Sequence, residues 1–143
     1  MQFTDFHASA ALEHALADLE FESPTTIQEQ AIPPAMEGRD VLGTAQTGTG
    51  KTLAFLLPAL DRLLRGDQAR DPRLVVLAPT RELAIQIAGE ATRLAGHTSL
   101  GVLAAYGGDP IRRQIDALRT GVDVLIATPG RLLDLANRGA VRF

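Results

Sequence analysis

The chain has 143 residues and a mass of 15.2 kDa, and 45% of its residues are hydrophobic and 22% charged. That is the composition of a soluble globular domain, and it excludes intrinsic disorder as the main state. The absence of cysteine excludes disulfides, thiolate catalysis and Cys-ligated zinc or iron–sulfur sites, and the net charge of −3 argues against holding nucleic acid by bulk electrostatics.

From the N-terminus, Ser9 is placed to cap a helix with Leu12, Leu16 and Leu19 on one face. Phe21-Glu22-Ser23-Pro24 breaks it. Thr25 starts a second helix, with Gln28 three residues on as in a capping box. Pro33-Pro34 is expected to end or kink that helix. Four short apolar runs follow, over 40–44, 74–78, 100–106 and 122–127. Three of them are nearly continuous in Val, Leu and Ile, as in strands buried on both faces of a parallel sheet. Helical stretches over 52–64, 82–94 and 111–118 lie between them. The stretch 66–72 reads as a surface loop. The alternation predicts an α/β fold with a mostly parallel sheet flanked by helices and right-handed crossovers. Ligands in such sheets collect at the carboxyl ends of the strands, and the motifs of this chain follow the apolar runs. No apolar run reaches the ~20 residues that span a bilayer, and no secretory signal opens the chain. The expectation is a cytoplasmic protein without a membrane partner.

After the run 40–44 comes Ala45-Gln46-Thr47-Gly48-Thr49-Gly50-Lys51-Thr52, then an apolar helical stretch. Strand, glycine-rich loop and helix form the context of a phosphate-binding loop. Glycines let successive N–H groups turn toward phosphate oxygens, and the helix N-terminus adds partial positive charge. Lys51 is the only lysine of the chain and stands where such a loop needs an ammonium. The Thr52 hydroxyl is the candidate Mg²⁺ ligand.

The segments around this loop carry a resemblance to the DEAD-box RNA helicases. Phe21 to Gln28, with Phe3 upstream, resembles that family's Q motif. Ala45 to Thr52 resembles its motif I, in which alanine is an accepted first residue. Pro79-Thr80-Arg81-Glu82-Leu83-Ala84 resembles motif Ia, Gly107-Gly108 the GG element, and Thr128-Pro129-Gly130-Arg131 motif Ib. Glu20 stands where the Q motif has glycine, so a local change of turn is expected there. The Asp-Glu-Ala-Asp and Ser-Ala-Thr elements do not occur in these residues. The resemblance therefore implies an N-terminal helical region over 1–38 carrying the Q motif, and part of a first RecA-like domain over 39–143. The Asp-Glu-Ala-Asp element and the second RecA-like domain would lie outside it.

The resemblance also implies roles. Phe3 would stack on adenine, where the sequence alone favours an apolar anchor. Gln28 would read the adenine edge through its paired donor and acceptor, beside its capping role. The cofactors would be ATP or ADP with Mg²⁺, held by Phe3, Phe21, Gln28 and Ala45 to Thr52. Lys51 and Thr52 would act in ATP hydrolysis, coupled to RNA unwinding or remodelling only in the full-length enzyme. RNA would lie against Pro79, Thr80, Arg81, Gly107, Gly108, Thr128, Pro129, Gly130 and Arg131. Such contacts reach phosphate and sugar and carry little base sequence. A different P-loop enzyme and a non-enzymatic nucleotide-binding module are the alternatives. Tyr106 reads as core, and His7, His14 and His97 are scattered, near no candidate metal partner, and receive no role.

Overall fold

The computed structural model describes residues 1–143. A single 3₁₀ turn, Phe3–Phe6, precedes α1 (Ala10–Asp18), α2 (Thr26–Met36) and α3 (Lys51–Arg65). Strands and helices then alternate: β1 (Leu74–Leu77), α4 (Arg81–Leu94), β2 (Val102–Ala105), α5 (Ile111–Thr120), β3 (Val124–Ala127) and α6 (Pro129–Asn137). The chain packs as two compact units. One is Met1–Gly66 with Arg93–Thr98, the other Asp67–Thr92 with Ser99–Phe143. The phosphate-loop helix α3 therefore belongs with the N-terminal helices, and the loop over 66–72 begins where the first unit ends.

In the first unit α2 packs along α3. Leu12 and Leu16 of α1, Ile32 of α2 and Leu56, Leu57 and Leu60 of α3 are buried. Leu19 of the expected helical stripe is the C-cap of α1 and only half-buried. Ser9 occupies the N-cap position but does not cap, because its hydroxyl donates to Asp61 Oδ1 at 2.7 Å. Asp61 is buried on α3 and also accepts from the Ser9 N–H at 2.8 Å and from Arg65 Nε at 2.7 Å. Burial alone would raise its carboxyl, but the hydrogen bonds from Arg65 and Ser9 outweigh that and hold it below the usual carboxylate range.

One expectation fails in this unit and another is narrowed. Pro33 and Pro34 do not end α2, which runs on to Met36. The prolines remove two N–H donors, but buried Ile32 holds the turn against the core. The run 40–44 is not a strand. No backbone hydrogen bond pairs it with another segment, and Leu42 is 97% exposed. An apolar run becomes a strand only where a neighbour completes its ladder.

The second unit holds a three-stranded parallel sheet in the order β1-β3-β2. Central β3 is buried at all four positions, and the flanking strands are mostly half-buried. Leu125, Ala127 and Ala105 form a core with Leu118 of α5 and Leu135 of α6. Ala127 is paired in register with Leu77 on one side and Ala105 on the other. The three strands thus end level, and the segments that follow leave the sheet at one edge.

Candidate functional site

In the first unit the loop 45–52 is shaped by two left-handed glycines, Gly48 (φ 84°) and Gly50 (φ 83°). No atom lies within 4 Å of where a Gly48 Cβ would stand, so the loop is open on that side. Gly50 caps α3, whose first residues are Lys51 and Thr52. Thr49 Oγ1 donates to the Gln46 carbonyl at 2.6 Å and fixes the curl. Exposed Lys51 reaches back to the Ala45 carbonyl at 2.6 Å, which occupies one of its three ammonium donors. Alternating left-handed turns at a helix N-terminus make a concavity suited to an anion. Lysine and threonine at the start of the helix suit a magnesium-bound polyphosphate, so the residues present fit such a ligand.

The Q-motif segment is joined to this loop. Gln28 is 2% exposed. Its Oε1 accepts from the Thr25 N–H at 2.9 Å, which closes the expected capping box, and its Nε2 donates to the Gly50 carbonyl at 3.1 Å. The Thr25 hydroxyl donates to the Thr49 carbonyl at 2.7 Å. The link from cap to loop is visible only in three dimensions.

Phe3 is 5% exposed and packs edge-on against Phe6 and Phe21, with centroids 5.9 and 6.0 Å apart. Its ring is an apolar anchor within this aromatic cluster. Phe21 is 43% exposed and keeps ring surface in solvent. Glu20 stands in a turn where glycine would be unstrained. It adopts the left-handed conformation itself, at φ 62°.

In the second unit, Pro79-Thr80-Arg81 follows β1, Gly107-Gly108 follows β2 and Thr128 to Arg131 follows β3. Thr80 Oγ1 accepts from the Leu83 N–H at 3.2 Å and so caps α4. Exposed Arg81 pairs with neither Glu82 nor Glu90. Its Nη1 lies 2.8 Å from where a Gly108 Cβ would stand, and Gly108 has φ 89°. Thr128 is the N-cap of α6 with Pro129 at its first turn, though its hydroxyl makes no capping bond.

Arg131 is tied into the turn after β2. Its Nη1 donates to the Asp109 carbonyl at 3.0 Å and to Gln114 Oε1 at 2.9 Å. Gln114, 1% exposed, donates through Nε2 to the Tyr106 carbonyl at 3.2 Å and Asp109 Oδ2 at 3.0 Å. These bonds clamp the ends of the Gly107-Gly108 turn. Neither Gln114 nor Asp109 belongs to a motif; a polar position on the otherwise apolar face of α5 is the only sequence signal for Gln114, and Asp109 has none. Tyr106 itself is half-buried rather than core.

The model of the DEAD/DEAH box helicases matches residues 25–143. The chain belongs to this family. Similar proteins include the ATP-dependent RNA helicase DeaD of Klebsiella pneumoniae, 46% identical over 97% of the chain and 22% of that protein. The ATP-dependent RNA helicase RhlB of Shewanella woodyi is 46% identical over 99% of the chain and 33% of that protein. Among solved structures, the RNA helicase Prp28 of Chaetomium thermophilum bound to ADP is 36% identical. It superposes with a TM-score of 0.86 over 99% of the chain and 35% of the Prp28 chain. The α/β architecture is thus that of the RecA-like helicase domain, and the chain spans about a third or less of each relative. Within this family frame, the sheet edge and the loop over 45–52 remain the two places where helicase motifs cluster.

The expectation of scattered histidines without a metal partner fails for His14 and His97, whose ligand atoms lie with that of Asp18 within 4.8 Å of one another. His14 and His97 stack with centroids 4.2 Å apart and planes 8° apart, and His97 Nε2 lies 2.6 Å from Asp18 Oδ2. The residues come from α1 and from the turn after α4, so no sequence spacing signals the cluster.

Proposed function

We propose that this chain is the ATP- and RNA-binding part of a DEAD-box RNA helicase that couples ATP hydrolysis to RNA unwinding or remodelling. The observation that carries the reading is the Gln28 amide, which ties the Q-motif helix cap to the Gly50 carbonyl of the phosphate loop. Adenine selection and phosphate binding would then share one hydrogen-bonded frame. Gly48 to Gly50 and Lys51 would hold the phosphates, Thr52 would hold Mg²⁺, and the half-open Phe21 ring would cover the base. Bound Mg²⁺ supplies charge neutralisation for phosphoryl transfer. RNA phosphates would lie along the level sheet edge against Thr80, Arg81, Gly107, Gly108 and the N-terminus of α6. Arg131 would serve by bracing the glycine turn.

Asp123 does not stand in for the family's acidic pair. It sits at the amino end of β3, where Oδ2 accepts from the Gly101 N–H at 2.8 Å and Oδ1 pairs with Arg73 at 3.1 Å. These residues alone should bind nucleotide without useful turnover.

Calorimetry with magnesium ADP and magnesium GDP tests the reading. Wild type should bind ADP at about micromolar affinity or weaker, near −8 kcal/mol. Lys51→Ala should weaken this by about 1.5–3 kcal/mol, as for lost charge-assisted bonds. Gln28→Ala should erode the preference for ADP over GDP. Equal ADP binding by wild type and Lys51→Ala would refute the assignment.

A further inference from the structure

We propose that His14, Asp18 and His97 form a binding site for a divalent transition-metal ion, such as zinc, separate from the nucleotide loop. Their ligand atoms all lie within 4.8 Å of one another. A tetrahedral zinc ion with bonds of about 2.0–2.1 Å needs its ligand atoms roughly 3.4 Å apart. The exposed side chains would close that gap by rotating about their own bonds. His14 and Asp18 are one helical turn apart on α1 and project from the same face.

The third ligand is held in place by its backbone. The turn carrying His97 is fixed by the Gly96 N–H to the Arg93 carbonyl at 3.2 Å and by the Thr98 N–H to the Ala95 carbonyl at 2.9 Å. Thr98 Oγ1 adds a bond to the Ala95 carbonyl at 2.7 Å. All three side chains are exposed, which lets the stacked rings splay and leaves room for water as a fourth ligand. Two imidazoles and one carboxylate suit zinc, nickel or copper rather than magnesium or calcium. The bound ion would cross-link positions 79 residues apart in the chain.

The test is calorimetric titration of the 143-residue chain with zinc chloride, without nucleotide. One site of micromolar affinity is expected. His14→Ala, Asp18→Asn and His97→Ala should each weaken it about tenfold or more. His7→Ala removes a histidine outside the cluster and should leave the affinity unchanged. Saturating zinc should raise the melting temperature of wild type and not of His97→Ala. His14→Gln and His97→Gln keep a polar side chain and should lose binding while retaining the wild-type circular dichroism. Absence of binding by wild type, or equal binding by the His14→Ala/His97→Ala double variant, would overturn the proposal.

Discussion

Replacing Gly50 by alanine should be costly for two separable reasons. The first is backbone: at φ 83° an L-residue adopts a left-handed conformation, at roughly 1–2 kcal/mol. The second is contact. The new Cβ would stand 2.3 Å from Gln28 Nε2 and 3.3 Å from Thr25 Oγ1. The Gln28 amide must then withdraw and lose its bond to the Gly50 carbonyl, a net loss of about 0.5–1.5 kcal/mol, more if the buried amide is left without a partner. The sum is about 1.5–3.5 kcal/mol. Gly48→Ala is the internal control, because it shares the left-handed backbone but has no atom within 4 Å of its Cβ. It should cost the backbone share alone, roughly 1–2 kcal/mol. Urea unfolding of wild type, Gly48→Ala, Gly50→Ala, Gln28→Ala and the Gln28→Ala/Gly50→Ala double variant completes a cycle. With Gln28 removed the clash disappears, and Gly50→Ala should cost no more than Gly48→Ala. If Gly50→Ala costs the same in both backgrounds, the amide does not couple the Q-motif cap to the loop and the reasoning fails.

Arg131→Ala should destabilise the second unit by about 1–3 kcal/mol, because it strips a partner from buried Gln114, and urea unfolding reads the loss. Glu20→Gly should stabilise the first unit by about 1 kcal/mol through relief of the left-handed strain, visible as a raised melting temperature. Asp61 has a lowered folded-state pKa, so its stabilising contribution is present above its unfolded pKa and lost as the pH falls below about 4 through the folded value. Asp61→Asn should therefore be less stable than wild type near neutrality and show a flatter acid limb, measured by urea unfolding across pH.

Local patterns carried much of the fold. Thr25 with Gln28, the glycine loop before Lys51, and the Val/Leu runs at Leu74 and Val124 all depend on short-range rules, and the structure places elements there. The failures share a different cause. Whether 40–44 pairs and whether α2 runs on past Pro33 and Pro34 are decided by neighbours distant in sequence. The same holds within the sites. Gln28 reads as a cap, but its second bond goes to Gly50. Arg131 reads as a phosphate ligand, and its Nη1 also bonds to Gln114 and the Asp109 carbonyl. His14 and His97 meet only because α1 and the turn after α4 come together within one unit.

The strand order has a consequence for the growing polypeptide. β1 and β2 each pair with β3 and not with each other, yet β3 is the last of the three to be synthesised. Fifty positions separate Leu77 from Ala127, so at ~5–20 residues per second the Leu74–Leu77 segment waits about 3–10 s for its partner. Throughout that interval Leu-Val-Val-Leu is a β-prone apolar edge without a ladder, the kind of segment that seeks another chain. A ribosomal pause before Val124 would lengthen the wait, and a faster passage would shorten it. The arrangement that levels three motifs at one sheet edge thus makes the birth of that sheet an all-at-once event, dependent on its last strand.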